Sequence, residues 1–474
     1  MSRISRRSFL GATGALAATT FLAACGGGSG GSSGGGGLRW WDHYSALQNF
    51  HKDWAETQSQ ALGVSVEYTY NDVTRAVEAL QLANQSKQLP DVYTNILDIP
   101  LAALVREGWV HELALSDEVK ARLPEGSLTE GITNLDGKVY GLPLFAFRQY
   151  AAATWFNRDI AAQAGIDPAN PPTSYDAYRD ALRRIAATGT APMMLALGGK
   201  ARMGEQINDM ACAAGFPGFE GLVFGTGEFA YHHDAYVTAI EFWKELNDTG
   251  LIIPGAINFT VANARTRWAA GSAGFFPDGP WCAGGVKAVN PDFVPTMAVG
   301  PILTPEAGTA PVVYRGAPAS QIFVAGSTKD AEHASALVSS FTTPEYQAGL
   351  AAGMDQPPLN LEIVGTADVI EPYRQVVRFF EEQVKRMPEA VVRNPQYAAV
   401  QAQQAPISPN LGDIVQGYLG GNIPDLRAAL RQLSDASTAD RDNALKKATA
   451  AGAQVSEADF AFPNWQAGTD YAYA

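Results

Sequence analysis

The chain has 474 residues, 46% of them hydrophobic and 17% charged, which suits two packed domains and excludes a disordered polymer. Its formal charge of −14 argues against a nucleic-acid partner, because such binding is built on Lys and Arg neutralising phosphates. Three cysteines are too few for a disulfide scaffold, and their spacing suggests no zinc site.

The first 24 residues read as an export signal. Arg6-Arg7 precedes an uncharged apolar run from Phe9 to Ala24, too short to span a bilayer comfortably at roughly 20 residues per crossing. The run ends in Leu22-Ala23-Ala24-Cys25, which resembles a bacterial lipoprotein box. That resemblance implies twin-arginine export, cleavage before Cys25 and lipid on its sulfur, anchoring the mature chain to the membrane. Gly26 to Gly37 contains only Gly and Ser, a flexible coil with a reach of roughly 20 Å. Residues 25–37 therefore form a leash. The leader holds three of the 34 basic residues and no acid, leaving 31 basic against 48 acidic residues, a formal charge of −17.

From Leu38 the pattern alternates. Leu38-Arg39-Trp40-Trp41 reads as a strand, and Leu47, Phe50 and Trp54 mark a helix stopped near Gly63. Val64 to Tyr70 alternates as a second strand, followed by helical spacing at Val73, Ala76, Val77 and Leu80. Asp91 to Leu97 is a third strand, and Pro100 suits the first turn of the helix bearing Leu101, Leu104 and Val105. This repetition predicts an α/β fold whose parallel sheet carries helices on both faces. Ligands in such sheets bind beyond the carboxyl ends of strands, here Asp42-His43-Tyr44, Asn71-Asp72 and Asp98. Trp40 and Trp41 must face opposite ways, so at least one belongs to the core. Met193 to Leu197 reads as a buried strand. Helices are expected at 175–187, 235–246 and 331–341, and they dominate from Pro344 onward. Cys212 and Cys282 admit two readings, a cross-link within one lobe or two buried thiols.

Enzyme motifs are weak. Gly27-Gly28-Ser29-Gly30-Gly31 fits G-x-S-x-G but lies in the leash, with no strand before it or helix after it. The six histidines form no H-E-x-x-H, and neither an EF-hand nor a nucleotide loop is present. No cofactor or metal is implied. A glycosidase would need two positioned carboxylates, and nothing singles out a pair.

Asp136-Gly137-Lys138-Val139-Tyr140-Gly141-Leu142-Pro143, a tight turn between short strands, resembles the D-G-K-x-Y-G-[LI]-P signature of family 1 extracellular solute-binding proteins. These are the maltose-binding-protein-like components of ABC importers. Further segments match in the family's order: Thr154 to Asp159, Ala164 to Tyr178, Trp268 to Trp281, Ser327 to Ala334 and Thr343 to Gln347. Trp155 and Arg158 depart from the usual Tyr and Lys.

The resemblance covers about 38–358. It implies a two-lobed fold with a helix-rich second lobe, the first lobe formed by 38–147 and 316–342, the second by 148–315 and 343–474. It also implies a monomer that captures a solute between its lobes and delivers it to a permease driven by a separate ATPase. The expected solute is a neutral carbohydrate, whose hydroxyls want polar groups and whose C–H faces want aromatic rings. Ligand contacts are expected from Trp41, Asp42, His43, Tyr44, Asp98, Arg148, Gln149, Asp278, Trp281, Arg315 and Gly316, and more weakly from Asn258 and Asn263. The alternatives are another polar solute (a polyol, a peptide or a phosphodiester gripped by Arg148 or Arg315), a secreted glycosidase, or an envelope adhesin.

Overall fold

A computed structural model describes residues 36–94 and 99–473. The leader with Cys25, and Asp98 at the third strand end, lie outside the described residues.

Strand β1 (Leu38–Asp42) alternates as its sequence demands: Leu38, Trp40 and Asp42 are buried, while Arg39 and Trp41 stay partly exposed. The helix Gln48–Leu62 comes next, then β2 (Val66–Tyr70), the helix Val73–Gln85, β3 (Val92–Thr94) and the helix Leu101–Arg106. Both β2 and β3 pair parallel to β1. The hairpin of β4 (Asn134–Leu135) and β5 (Lys138–Val139) turns at Asp136 and Gly137, with φ of 53° and 74°. Two successive positive φ values are what a two-residue hairpin of matching twist requires, hence Asp-Gly. Strand β6 (Gly141–Leu142) then closes the edge of the first sheet.

The chain next enters a second body through β7 (Ala153–Asn157), buried along its whole length. Helices Tyr175–Ala187, Lys200–Ala213 and Asp234–Asp248 come after it, with a small hairpin of β8 (Gly218–Phe219) and β9 (Leu222–Val223) between the last two. Strands β10 (Phe275–Asp278) and β11 (Met297–Gly300) flank β7, both antiparallel to it. Return is through β12 (Val313–Arg315) to β13 (Ile322–Val324). The latter lies antiparallel between β3 and β6, giving the order β2-β1-β3-β13-β6. Later in the chain β14 (Val384–Arg386) pairs parallel to β12, and the helix Leu426–Ala450 is the longest of the helical end.

The first sheet is packed on both faces. Trp40, Val92, Ile322 and Val324 join Leu337, Phe341, Tyr346 and Leu350 on one side. Tyr93 and Phe323 join Leu80, Leu104 and Trp109 on the other. A separate, larger core surrounds β7, β10 and β11.

Several expectations need correction. Parallel pairing holds among β1, β2 and β3 only; β13 runs opposite to them, β6 pairs antiparallel with β13 and so points the same way as the first three, and every pairing in the second sheet is antiparallel. Met193 to Leu197 is buried but is not a strand, since Met193 makes only isolated bridges to Ile252 and Phe275. The helix Pro344–Gly353, grouped by sequence with 343–474, puts Tyr346 and Leu350 into the first-sheet core, and only Ala351 and Met354 join the other. Cys212 and Cys282 are both buried free thiols, with burial pushing each above its ordinary pKa. Among the described residues no helix is long and apolar enough to cross a membrane.

Candidate functional site

One wall of the site grows from the carboxyl end of β1. Asp42, 3% exposed, accepts hydrogen bonds from the Tyr44 backbone N–H at 3.2 Å and the Tyr68 hydroxyl at 2.8 Å. It also meets His51 Nδ1 at 2.5 Å, and because an ionised carboxylate only accepts, that nitrogen carries the proton. In the neutral ring Nε2 then accepts from the Tyr346 hydroxyl at 3.0 Å. Tyr44 is itself buried, edge-on to Phe145. His43 contacts Thr94 Oγ1 at 2.8 Å; burial lowers its pKa, with Asp42 opposing. Trp41 points to the other sheet face, and with Asp42, Asn71, Leu80, Tyr93 and Thr94 it lines a cavity of about 10 Å³ at the strand ends. That is room for a water, not a sugar.

The opposite wall is built on the helix Lys200–Ala213, which places Arg202, Glu205 and Asp209 at helical spacing. The Arg202 guanidinium donates to Glu205 at 2.5 Å and lies 4.0 Å from the centroid of the Trp281 ring. Asp209 is fully buried and accepts from the Ala151 N–H at 2.7 Å and from Arg315 at 2.5 Å. Burial pushes its carboxyl up to about 6, against the pull of Arg315. Asp278, 1% exposed, accepts from Arg265 at 2.8 Å, the Trp281 indole N–H at 2.7 Å and the Gly279 N–H at 2.9 Å. Asp278 thus orients the ring of Trp281, which lies so close over Gly279 that a Cβ there would sit 2.1 Å from it. Gly316 is crowded as well, since a Cβ would lie 2.4 Å from the Glu389 carboxylate.

The walls meet at the crossover segments. The Gly284 N–H, from the helix after Trp281, donates to Met354 O at 3.0 Å. The Ala146 N–H donates to Pro357 O at 2.9 Å, and Gln149 Nε2 to Gln356 Oε1 at 2.9 Å. Asp355, buried here, interacts electrostatically with Asp42 and His51 of the first wall and with Arg202 and Arg265 of the second. Among the described residues, three buried polar atoms around this junction lack partners: Gln149 Oε1, Arg202 Nε and Arg265 Nε.

The structure therefore brings Asp42, through His51, and Asp278 and Trp281, through Arg265 and Arg202, to the surroundings of Asp355, with Gln149 bonded to the adjoining Gln356. Arg315 belongs to the buried pair with Asp209. Arg148 turns away, donating to both carboxylate oxygens of Asp470 at 3.2 and 2.6 Å and to Val384 O. Asn258 and Asn263 are exposed, Asn258 in a 3₁₀ turn and Asn263 in the first turn of the helix Val261–Ala269. Arg202, Glu205, Asp209, Arg265 and Asp355 escaped the sequence reading. Arg202, Glu205 and Asp209 had a usable signal, charges at i, i+3 and i+7 in a helix rich in small and apolar residues. The other two had none.

Comparison with known proteins agrees with this architecture. The family model described as bacterial extracellular solute-binding protein matches residues 52–372. Among solved structures, the chain is similar to an ABC transporter solute-binding protein from Thermotoga lettingae bound with α-D-tagatose, at 18% identity and a TM-score of 0.67, covering 86% of this chain and 100% of that one. It is similar to RafE in complex with raffinose, at 15% identity and a TM-score of 0.62, covering 84% and 97%. It is also similar to the GacH receptor of Streptomyces glaucescens, studied with acarbose, at 18% identity and a TM-score of 0.63, covering 85% and 98%. At these identities the likeness speaks for the fold, the two-lobed α/β architecture of periplasmic binding proteins. No curated protein sequence matches.

Proposed function

Since this chain belongs to the bacterial extracellular solute-binding proteins, we propose that it captures a neutral carbohydrate, mono- to oligosaccharide, in the cleft between its lobes and delivers it to an ABC permease with a separate ATPase. The observation that carries the carbohydrate reading is the state of the guanidinium groups. Arg265 is paired with Asp278, Arg315 with Asp209, Arg202 with Glu205 and Arg148 with Asp470. None is left as a fork for a phosphate, which weakens the phosphodiester alternative. Beside them stand an indole ring and unpartnered amide and guanidinium atoms, the complement a polyhydroxyl ring needs. The similar solved proteins, bound with tagatose and raffinose and studied with acarbose, support the same class.

In this reading the first lobe comprises 38–147 and 316–342 together with the helix Pro344–Gly353, whose Tyr346 and Leu350 lie in its core. Closure is a hinge motion about the crossovers. Cys25 carries the lipid, two or more acyl chains being needed for stable anchoring. The protein works as a monomer and breaks no bond. A melting-temperature screen of sugars, polyols, phosphodiesters and peptides tests the proposal. A sugar at 100 Kd should add about 2.7 kcal/mol of stability without release of reducing ends. A shift by a charged solute and none by any sugar would defeat it.

A further inference from the structure

Asp355 is 7% exposed and receives no hydrogen bond from any described residue. Neither oxygen is among the fully enclosed unpartnered atoms, so the carboxylate of this largely buried residue still opens to solvent and to a ligand. Its place is fixed from both sides. Met354 before it takes a left-handed conformation, φ 51° and ψ 39°, uncommon for a side chain of this size, and its carbonyl is held by the Gly284 N–H at 3.0 Å. Gln356 and Pro357 after it are bonded to Gln149 and Ala146. The backbone thus presents one carboxylate rigidly at the junction of both walls, as a preorganised contact requires.

The groups around it are Asp42 on β1, Tyr70 on β2, His51 on the helix Gln48–Leu62, Arg202 on the helix Lys200–Ala213, Arg265 on the helix Val261–Ala269 and Tyr373 on the helix Glu371–Gln383. Asp42 is already saturated by Tyr44, Tyr68 and His51, and Asp278 by Arg265, Trp281 and Gly279. Of the cleft carboxylates, Asp355 alone keeps both oxygens open among the described residues. We infer that Asp355 is a ligand-contacting residue, its two oxygens accepting two neighbouring hydroxyls of the bound sugar. This rests on the carbohydrate reading above. A cationic amine is disfavoured because Arg202 and Arg265 already face the same carboxylate. Burial also pushes the Asp355 carboxyl up to about 6, so the ionised acceptor is present above that pH and is lost as pH falls through it.

The test uses the full chain, titrated calorimetrically with raffinose, stachyose, α-D-tagatose and a chitin oligosaccharide as probes. For whichever probe binds, Asp355→Asn and Asp355→Ala should raise Kd by about 10- to 100-fold. The ligand-free melting temperature of Asp355→Asn should hold or rise, because an unpaired buried charge is removed. Wild-type affinity should fall by up to about tenfold from pH 7 to pH 5, while Asp355→Asn shows a flat profile. A Kd within about threefold of wild type in both variants overturns the inference and leaves the carbohydrate reading standing. A drop of several degrees in the melting temperature of Asp355→Asn also overturns it, by making the residue structural. Failure of all four probes on the wild-type chain overturns the carbohydrate reading and this inference together.

Discussion

The two walls of the cleft hold their carboxylates by different chemistry. In the first, Asp42 is ringed by a backbone amide, a tyrosine hydroxyl and an imidazole that is itself bonded to a second tyrosine. In the second, Asp209 and Asp278 are each tied to a guanidinium with little access to water. Removing one donor from the first wall leaves others on the same carboxylate. Removing a carboxylate from the second strands an arginine whose side chain is only 13–16% exposed. The first wall therefore holds its carboxylate by hydrogen bonds to backbone, tyrosine and imidazole, while the second sets each carboxylate against a guanidinium charge.

The largest expected effect comes from that contrast. Asp278→Ala should destabilise the folded chain by about 3 kcal/mol, because Arg265, its side chain only 13% exposed, loses the one carboxylate within salt-bridge distance among the described residues. Tyr68→Phe should cost only about 1 kcal/mol, one hydrogen bond among several on Asp42. Urea unfolding of both variants makes the comparison directly. Equal costs would erase the distinction between the walls.

How far the walls could be read from sequence depends on the range of their contacts. The β1 strand and the Asp-Gly hairpin are set by neighbours within a few positions, and both were legible. The Met193 to Leu197 run misled because burial alone mimics a strand, while a strand needs a ladder that this segment lacks. Arg265 and Asp355 carry no local pattern, and their meaning comes from elements brought together only by the crossovers. Arg148 seemed a ligand group because it adjoins the signature, yet its partner Asp470 is 322 positions away.

Trp281 sharpens the second wall's role. Its indole N–H is anchored on Asp278 and one ring face is covered by the Arg202 guanidinium. The ring also lies close over Gly279, so a sugar that stacks on it must displace Arg202. Trp281→Ala should weaken sugar binding by about 1–3 kcal/mol, read by calorimetric titration. Unchanged affinity would make the ring a support for Asp278 and nothing more.

The smallest effect on affinity separates the cleft from the tail beside it. Arg148 sits at the first crossover, but its guanidinium joins the carboxyl-terminal segment, where Asp470 also accepts from the Arg386 N–H at 2.7 Å. Next to it, the Tyr471 N–H donates to Arg386 O at 2.9 Å. With Arg148 and Asp470 24% and 48% exposed, this ion pair is screened by water and contributes at most about 1 kcal/mol. Arg148→Ala should therefore lower stability by about 1–2 kcal/mol, the ion pair together with the bond to Val384 O, and the ion-pair part should shrink at high salt. Sugar affinity should stay within about twofold of wild type, since the residue reaches the tail and not the cleft. A tenfold loss of affinity at unchanged stability would return Arg148 to the ligand. It would also mean that the tail competes with the sugar for the same guanidinium, joining the two regions that the structure keeps apart.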